Sequence, residues 1–205
     1  MISASTKLQI LFATAFFCQV GTEITAASWL PSYAVLTHTF DEKQAAFCGT
    51  IFWIMFTIFR FVIAALKIEC SKKLSFLTKS VIFCSFVNAF LTLQGMHKAA
   101  TLFGSVGFGT SCSGGYSLLL SVPMEFGIKL TPEQLSTILL VPAFSLMIVT
   151  TSVGMLMNIS ANMLMVCLVV MSCALGTNVY FLFRQMKEES RDLGADVELR
   201  EMIAK

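Results

Sequence analysis

Two ionisable side chains of this 205-residue chain, Glu23 and Arg60, lie inside long apolar runs. A charged group in such a run is costly in lipid and usually faces a cavity or a partner. Helical steps of 100° place Gln19, Thr22, Ala26, Trp29, Leu30 and Tyr33 within about one third of the circumference around Glu23. That arc holds a carboxylate, an amide, a hydroxyl and two aromatic rings with polar tips. Aromatic rings stack on sugar faces, and amides and acids hydrogen-bond hydroxyls, so the stripe suits a neutral polar solute. Gln19, Glu23, Trp29 and Tyr33 are therefore the candidate substrate-binding residues. The competing account of Glu23 is a protonated carboxyl bonded to a neighbouring helix. Pro31, further along the same run, removes a backbone hydrogen bond and predicts a bend or a loosened turn. Arg60 shares a helix face with Trp53, Phe56 and Thr57, about two turns from Lys67. Its position fits a gating or ion-pair role and equally a side chain that snorkels towards water.

The run Gly104 to Gly115 places Gly107, Ser111 and Gly115 at every fourth position. Small residues so spaced let helices approach closely, and we assign these three to helix packing. The run is not a phosphate loop, because no strand precedes it and no Gly-Lys-Ser/Thr follows. Pro142 predicts a kink, and Asn88 and Asn178 read as buried amides that hydrogen-bond between helices. Seven cysteines occur without a Cys-x-x-Cys pair, and all but Cys70 lie in apolar runs, which argues against metal ligation and a disulfide framework. His38 and His97, the two histidines, fall in polar connections, so no base stands beside an intramembrane serine. No paired aspartates lie within the apolar runs either. The acid–base partners of an enzyme are missing, and the reading is of a non-enzyme that needs no cofactor.

The elements that must hold these residues are set by composition. Hydrophobic residues make up 56% of the chain and charged residues 13%, with a mean hydropathy of +0.79. Soluble domains carry about 25% charge. A net charge of +2 is too small to imply nucleic acid. Six segments reach the roughly 20 apolar residues that a membrane crossing needs, at about 8–36, 44–66, 76–94, 99–123, 135–157 and 162–183. Backbone groups left unpaired in lipid are costly, so the spans must be helical. The expected architecture is an all-α, multi-pass membrane protein with a short N-terminus (1–7), a six-helix transmembrane bundle (8–186) and a charged, partly helical tail (187–205). With six spans both termini share a side. That side carries Lys7, Lys67, Lys72, Lys73, Lys79, Lys129, Arg184 and Lys187, against Lys43 and Lys98 on the other. Positive residues favour the cytoplasm, so both termini are expected there, with the plasma membrane as the location. The first span is not a cleavable signal, since it is too long and Glu23 interrupts it.

The segment Gln19 to Ala34, with Gly21-Thr22-Glu23, Trp29 and Tyr33-Ala34, resembles a signature of the major facilitator superfamily, in the branch of sodium-dependent glucose transporter-like proteins and fucose:proton symporters. There the seventh helix carries a Gly-x-Glu segment followed by an aromatic and a Tyr-Ala. Gly49 to Arg60, with Phe52-Trp53-Ile54-Met55-Phe56, is similar to the eighth helix, and Gly104 to Glu125 to the tenth. The resemblance covers about residues 8–186 and the second six-helix half of a twelve-span fold. The loop beginning Lys67-Ile68-Glu69-Cys70 lacks the superfamily's Gly-Asp-Arg pattern. The resemblance implies the C-terminal half of a sugar transporter working by alternating access, with a sodium ion or proton as coupling ion. Such a half is a fragment or truncated product, or it pairs with another six-helix half or a second copy of itself. The rival expectation is a non-transporting membrane protein with an assembly or regulatory role.

Overall fold

The computed structural model describes residues 5–128 and 130–203, with side chains as far as Arg191. Among these residues the chain is helical and contains no strand: α1 (Thr6–Leu36), α2 (Glu42–Ala65), α3 (Cys70–Leu93), α4 (His97–Cys112), α5 (Gly115–Glu125), α6 (Pro132–Met157) and α7 (Met163–Ile203). Five of them, α1, α2, α3, α6 and α7, are long and apolar enough to cross a membrane.

The helix starts are written locally. Asp41 and Gln44 form a capping box at α2, and Thr131 and Gln134 form another at α6, with Pro132 in the first turn. Ser5 caps α1 by accepting from Leu8 N. Glu69 precedes α3 but makes no side-chain cap. Its place is taken from a distance by Glu125, whose carboxylate accepts from Cys70 N and, at 2.9 Å, from Ser71 N. The last residue of α5 thus closes the first turn of α3.

α1 is the axis of the bundle. Its most apolar window is 61% buried, against 17% for α2, and it packs on α2, α4, α5, α6 and α7. The other helices turn large apolar side chains outwards. On α3 an exposed stripe runs Phe76, Phe83, Phe86 and Phe90, a helical spacing that leaves one apolar face uncovered, as suits a lipid bilayer. Two buried clusters fill the interior. One gathers around Phe12, Phe16 and Leu119, the other around Tyr33, Phe52 and Phe108.

Three boundaries differ from the sequence expectation. The connection is only the four residues Leu66 to Glu69, and the rest of the polar stretch to Lys79 is helix from Cys70, so Lys72, Lys73 and Lys79 lie on α3. Lysines carry long apolar stems that let a helix end face lipid, and Glu125 supplies the cap. The stretch 99–123 is interrupted at Ser113–Gly114, and its helix starts earlier, at His97. The tail is helix continuous with α7 as far as Ile203. α1 runs through Pro31 and α6 through Pro142 without interruption of the helix.

Burial raises the Glu125 carboxyl, but the Ser71 and Cys70 N–H groups outweigh it and hold it below its ordinary value of 4.5. A depressed carboxyl stabilises the fold above its unfolded value, and that contribution is lost as pH falls through the folded one. Glu125→Gln should lower the Tm of the detergent-solubilised protein by a few degrees at pH 7, with the gap to wild type closing at pH 3. A constant gap across that range would show that charge on Glu125 is irrelevant to the cap.

Candidate functional site

The site grows from the interruption of one helix. α4 ends at Cys112 and α5 restarts at Gly115, with Ser113 and Gly114 as a turn between them. A helix end leaves carbonyls without intrahelical donors. Two neighbouring helices supply side-chain donors. Gln19 of α1 donates its Nε2 to Cys112 O at 3.3 Å, and Arg60 of α2 donates its Nε to Ser113 O at 2.9 Å. Consecutive carbonyls at the break are thus bonded from two sides. The Arg60 guanidinium also lies 4.6 Å from the centre of the Phe56 ring, within cation–π range.

Glu23 stands one turn beyond Gln19 on the same face of α1 and is 9% exposed. Gln19 and Arg60 are the polar side chains near enough to act on its carboxyl. Glu23 and Arg60 form no ion pair within 4.0 Å among the described residues. Arg60 itself is exposed, as are Trp53 and Thr57 beside it on α2. The cluster is therefore closed by α1 and the α4–α5 break on one side and open along α2 on the other.

Gly115 makes this arrangement possible. A Cβ there would fall 2.6 Å from Gln19 Oε1 and closer still to the rest of the amide. The Gln19 side chain lies across the bare α-carbon. Gly109, about one turn before the break, admits the backbone of α2: a Cβ would meet Phe52 O at 2.6 Å. Gly107 faces Cys84 of α3, and Ser111 donates to Gly107 O at 2.6 Å within α4. The three evenly spaced small residues therefore serve different contacts: Gly107 meets α3, Ser111 bonds within α4, and Gly115 meets Gln19 of α1.

Of the four residues assigned to the substrate stripe, the structure brings Gln19 and Glu23 together with Arg60. Trp29 and Tyr33 are engaged elsewhere. The Trp29 ring sits on Gly154 of α6 and its Nε1 donates to Thr150 O at 3.0 Å. Tyr33 is fully buried, with its hydroxyl 2.7 Å from His97 Nδ1 and 3.2 Å from Thr92 Oγ1. It ties α1 to the end of α3 and the start of α4. The two asparagines also differ from expectation. Asn178 donates to Ala174 O of its own helix. Asn88 is fully buried against Gly104, and neither of its amide atoms has a protein partner. The Cys112 and Ser113 carbonyls were not candidates from sequence; the adjacent Gly114-Gly115 pair was the signal available for them.

No group of three or more His, Cys, Asp or Glu side chains that could hold a metal occurs among the described residues. All seven cysteines are free. No protein-family model, curated protein or solved structure matches the chain.

If Gly115 exists to seat Gln19, enlarging it should matter only while Gln19 is there. Gly115→Ala should destabilise the solubilised protein by about 1–3 kcal/mol, the usual range for overpacking. Gln19→Ala should remove most of that penalty in the double variant. Simple additivity of the two changes would separate Gly115 from Gln19.

Proposed function

We propose that this chain is a bundle of a secondary transporter, with the Gln19–Glu23–Arg60 cluster as part of its solute site. The observation that carries the reading is a buried carboxyl beside an interrupted helix, with an exposed guanidinium on the adjoining open face. Intramembrane ionisable groups gather where a solute or ion passes, and interrupted helices near the midplane are a recurrent setting for such sites. In this reading α4 and α5 together make one crossing, giving six with the five long helices. Both termini face the cytoplasm, on the lysine and arginine count of the connecting segments.

The solute class follows from the cluster. An amide, a carboxyl and a guanidinium hydrogen-bond hydroxyl groups, and Trp53 offers an exposed ring about two turns from Arg60 on the same face of α2. A neutral polyhydroxylated solute such as a sugar fits these groups, in accord with the resemblance of residues 19–34 and 49–60 to facilitator-type sugar transporters. Trp29 and Tyr33 would shape the site from behind rather than touch solute. Glu23 would carry coupling by holding a proton or a sodium ion. The open face along α2 would be met by a second six-helix bundle, and rocking of the two around the cluster would give alternating access. The same open face also favours the second reading, a non-transporting protein that uses α2 to assemble with another membrane protein.

Uptake of radiolabelled D-glucose into proteoliposomes tests the first reading. Wild type should accumulate glucose under an inward sodium or proton gradient, and Glu23→Gln should reduce gradient-driven uptake at least tenfold while leaving the elution profile in detergent unchanged. Equal coupled uptake by both proteins would remove Glu23 from the mechanism. Lack of uptake by wild type, with the protein recovered as a defined complex, would favour the assembly reading.

A further inference from the structure

At the end of the bundle where α1 begins, a groove of about 700 Å³ separates the first turns of α3 from α7. Three cations line it from two helices: Lys72 on α3, Arg184 and Lys187 on α7. Ser71 and Ser75 add hydroxyls from α3, and Tyr180 and Phe183 form an aromatic wall on α7. One acid, Glu69, lines the groove with them.

We infer that this groove binds the headgroup of an acidic phospholipid carrying phosphomonoester groups, drawn from the leaflet at that end of the bundle. The first argument is charge. The neighbouring acids are already engaged, and weakly. Glu69 pairs with Lys72 at 3.1 Å and Glu188 with Arg184 at 3.2 Å, each pair more than half exposed. Exposed pairs of this kind contribute little and exchange readily. The Glu125 carboxylate, at the start of α3, is turned onto the Cys70 and Ser71 N–H groups. Lys187 forms no ion pair with a described residue. An incoming phosphate would meet three cations and displace only two surface pairs.

The second argument is depth. The groove lies where the exposed apolar faces of two helices give way to charge. Its wall carries Phe126 beside Tyr180 and Phe183, and Tyr180 is exposed on α7, as Phe76 and Phe83 are on α3. Tyr, Lys and Arg gather at the level of lipid headgroups. A lipid with its phosphates on Lys72, Arg184 and Lys187 would have the start of its chains against Phe126, Tyr180 and Phe183. A soluble phosphate would gain the charges but leave the apolar wall unused. Basic pockets between transmembrane helices are a known way of recognising such headgroups. The inference does not depend on the transport reading, because no residue of the groove belongs to the Gln19–Glu23–Arg60 cluster.

The test measures binding of a short-chain phosphatidylinositol bisphosphate to the full chain in detergent, by thermophoresis. Wild type should bind it saturably, more weakly as salt rises, and should not bind the phosphatidylcholine of equal chain length. The triple substitution Lys72→Gln, Arg184→Gln, Lys187→Gln should weaken binding roughly a hundredfold, at about fivefold for each cation removed. Lys43→Gln with Lys98→Gln, at the opposite end, should leave it unchanged. Lys187→Gln alone should cost about fivefold and keeps the test valid if the triple variant fails to fold. Undiminished binding by the substituted groove would overturn the inference, as would equal losses from both ends. Inositol trisphosphate binding as tightly as the lipid would overturn the choice of a lipid over a soluble phosphate.

Discussion

Lipid offers a backbone carbonyl nothing to bond to. That constraint governs the centre of this molecule. The interruption between α4 and α5 exposes the carbonyls of Cys112 and Ser113, and two of the longest polar side chains in the bundle reach in to meet them. Gln19 comes from α1 and Arg60 from α2. Glu23 follows because it stands one turn from Gln19 on the same face. A local failure of helical hydrogen bonding thus draws together three long polar side chains from two helices, Gln19 and Glu23 of α1 and Arg60 of α2.

The same scarcity of polar partners explains how α1 is held. Between helices in lipid the hydrophobic effect gives no net attraction, so close packing and hydrogen bonds take its place. α1 and α6 show both. Ser145 donates to Phe17 O at 2.6 Å, while Trp29 donates to Thr150 O at 3.0 Å, so each helix gives one side chain to the other's backbone. The approach is close at the glycines. A Cβ on Gly21 would meet Ser145 Oγ at 2.8 Å, and Gly154 leaves room for the Trp29 ring. Reciprocal ties of this kind fix the rotation of α1, and with it the direction in which Gln19 and Glu23 point.

Apolar length made most of the helices legible in the sequence, and the cost of charge in lipid singled out Glu23 and Arg60. Neither rule reaches across helices. A helical wheel put Trp29 and Tyr33 on the arc of Glu23, yet α1 is buried on several sides and each ring meets a different neighbour. One face of a wheel does not distinguish a cavity from α6 or from the end of α3. The break in α4–α5 was hidden for a related reason. Hydropathy is continuous through Ser113-Gly114, and the interruption is stabilised by donors distant in sequence. The start of α3 was placed too late because three lysines read as loop, whereas its cap comes from Glu125, more than fifty residues on.

The relation of Glu23 to Arg60 follows from the same arrangement. Opposite charges in a low-dielectric interior attract strongly, and a contact pair would close the space between them. Here the guanidinium is held back by the Ser113 carbonyl and the Phe56 ring, and the carboxyl stands one turn from Gln19, whose amide is bound to Cys112 O. The two groups form no contact pair. Arg60 keeps its place through bonds that do not involve Glu23, so a change at the carboxyl need not collapse the guanidinium onto it. A contact ion pair, in contrast, would have to be broken before anything else could bind between its members. Anchoring the guanidinium to the Ser113 carbonyl and the Phe56 ring thus accounts for the absence of a contact pair without any cost to the bond that closes the helix break.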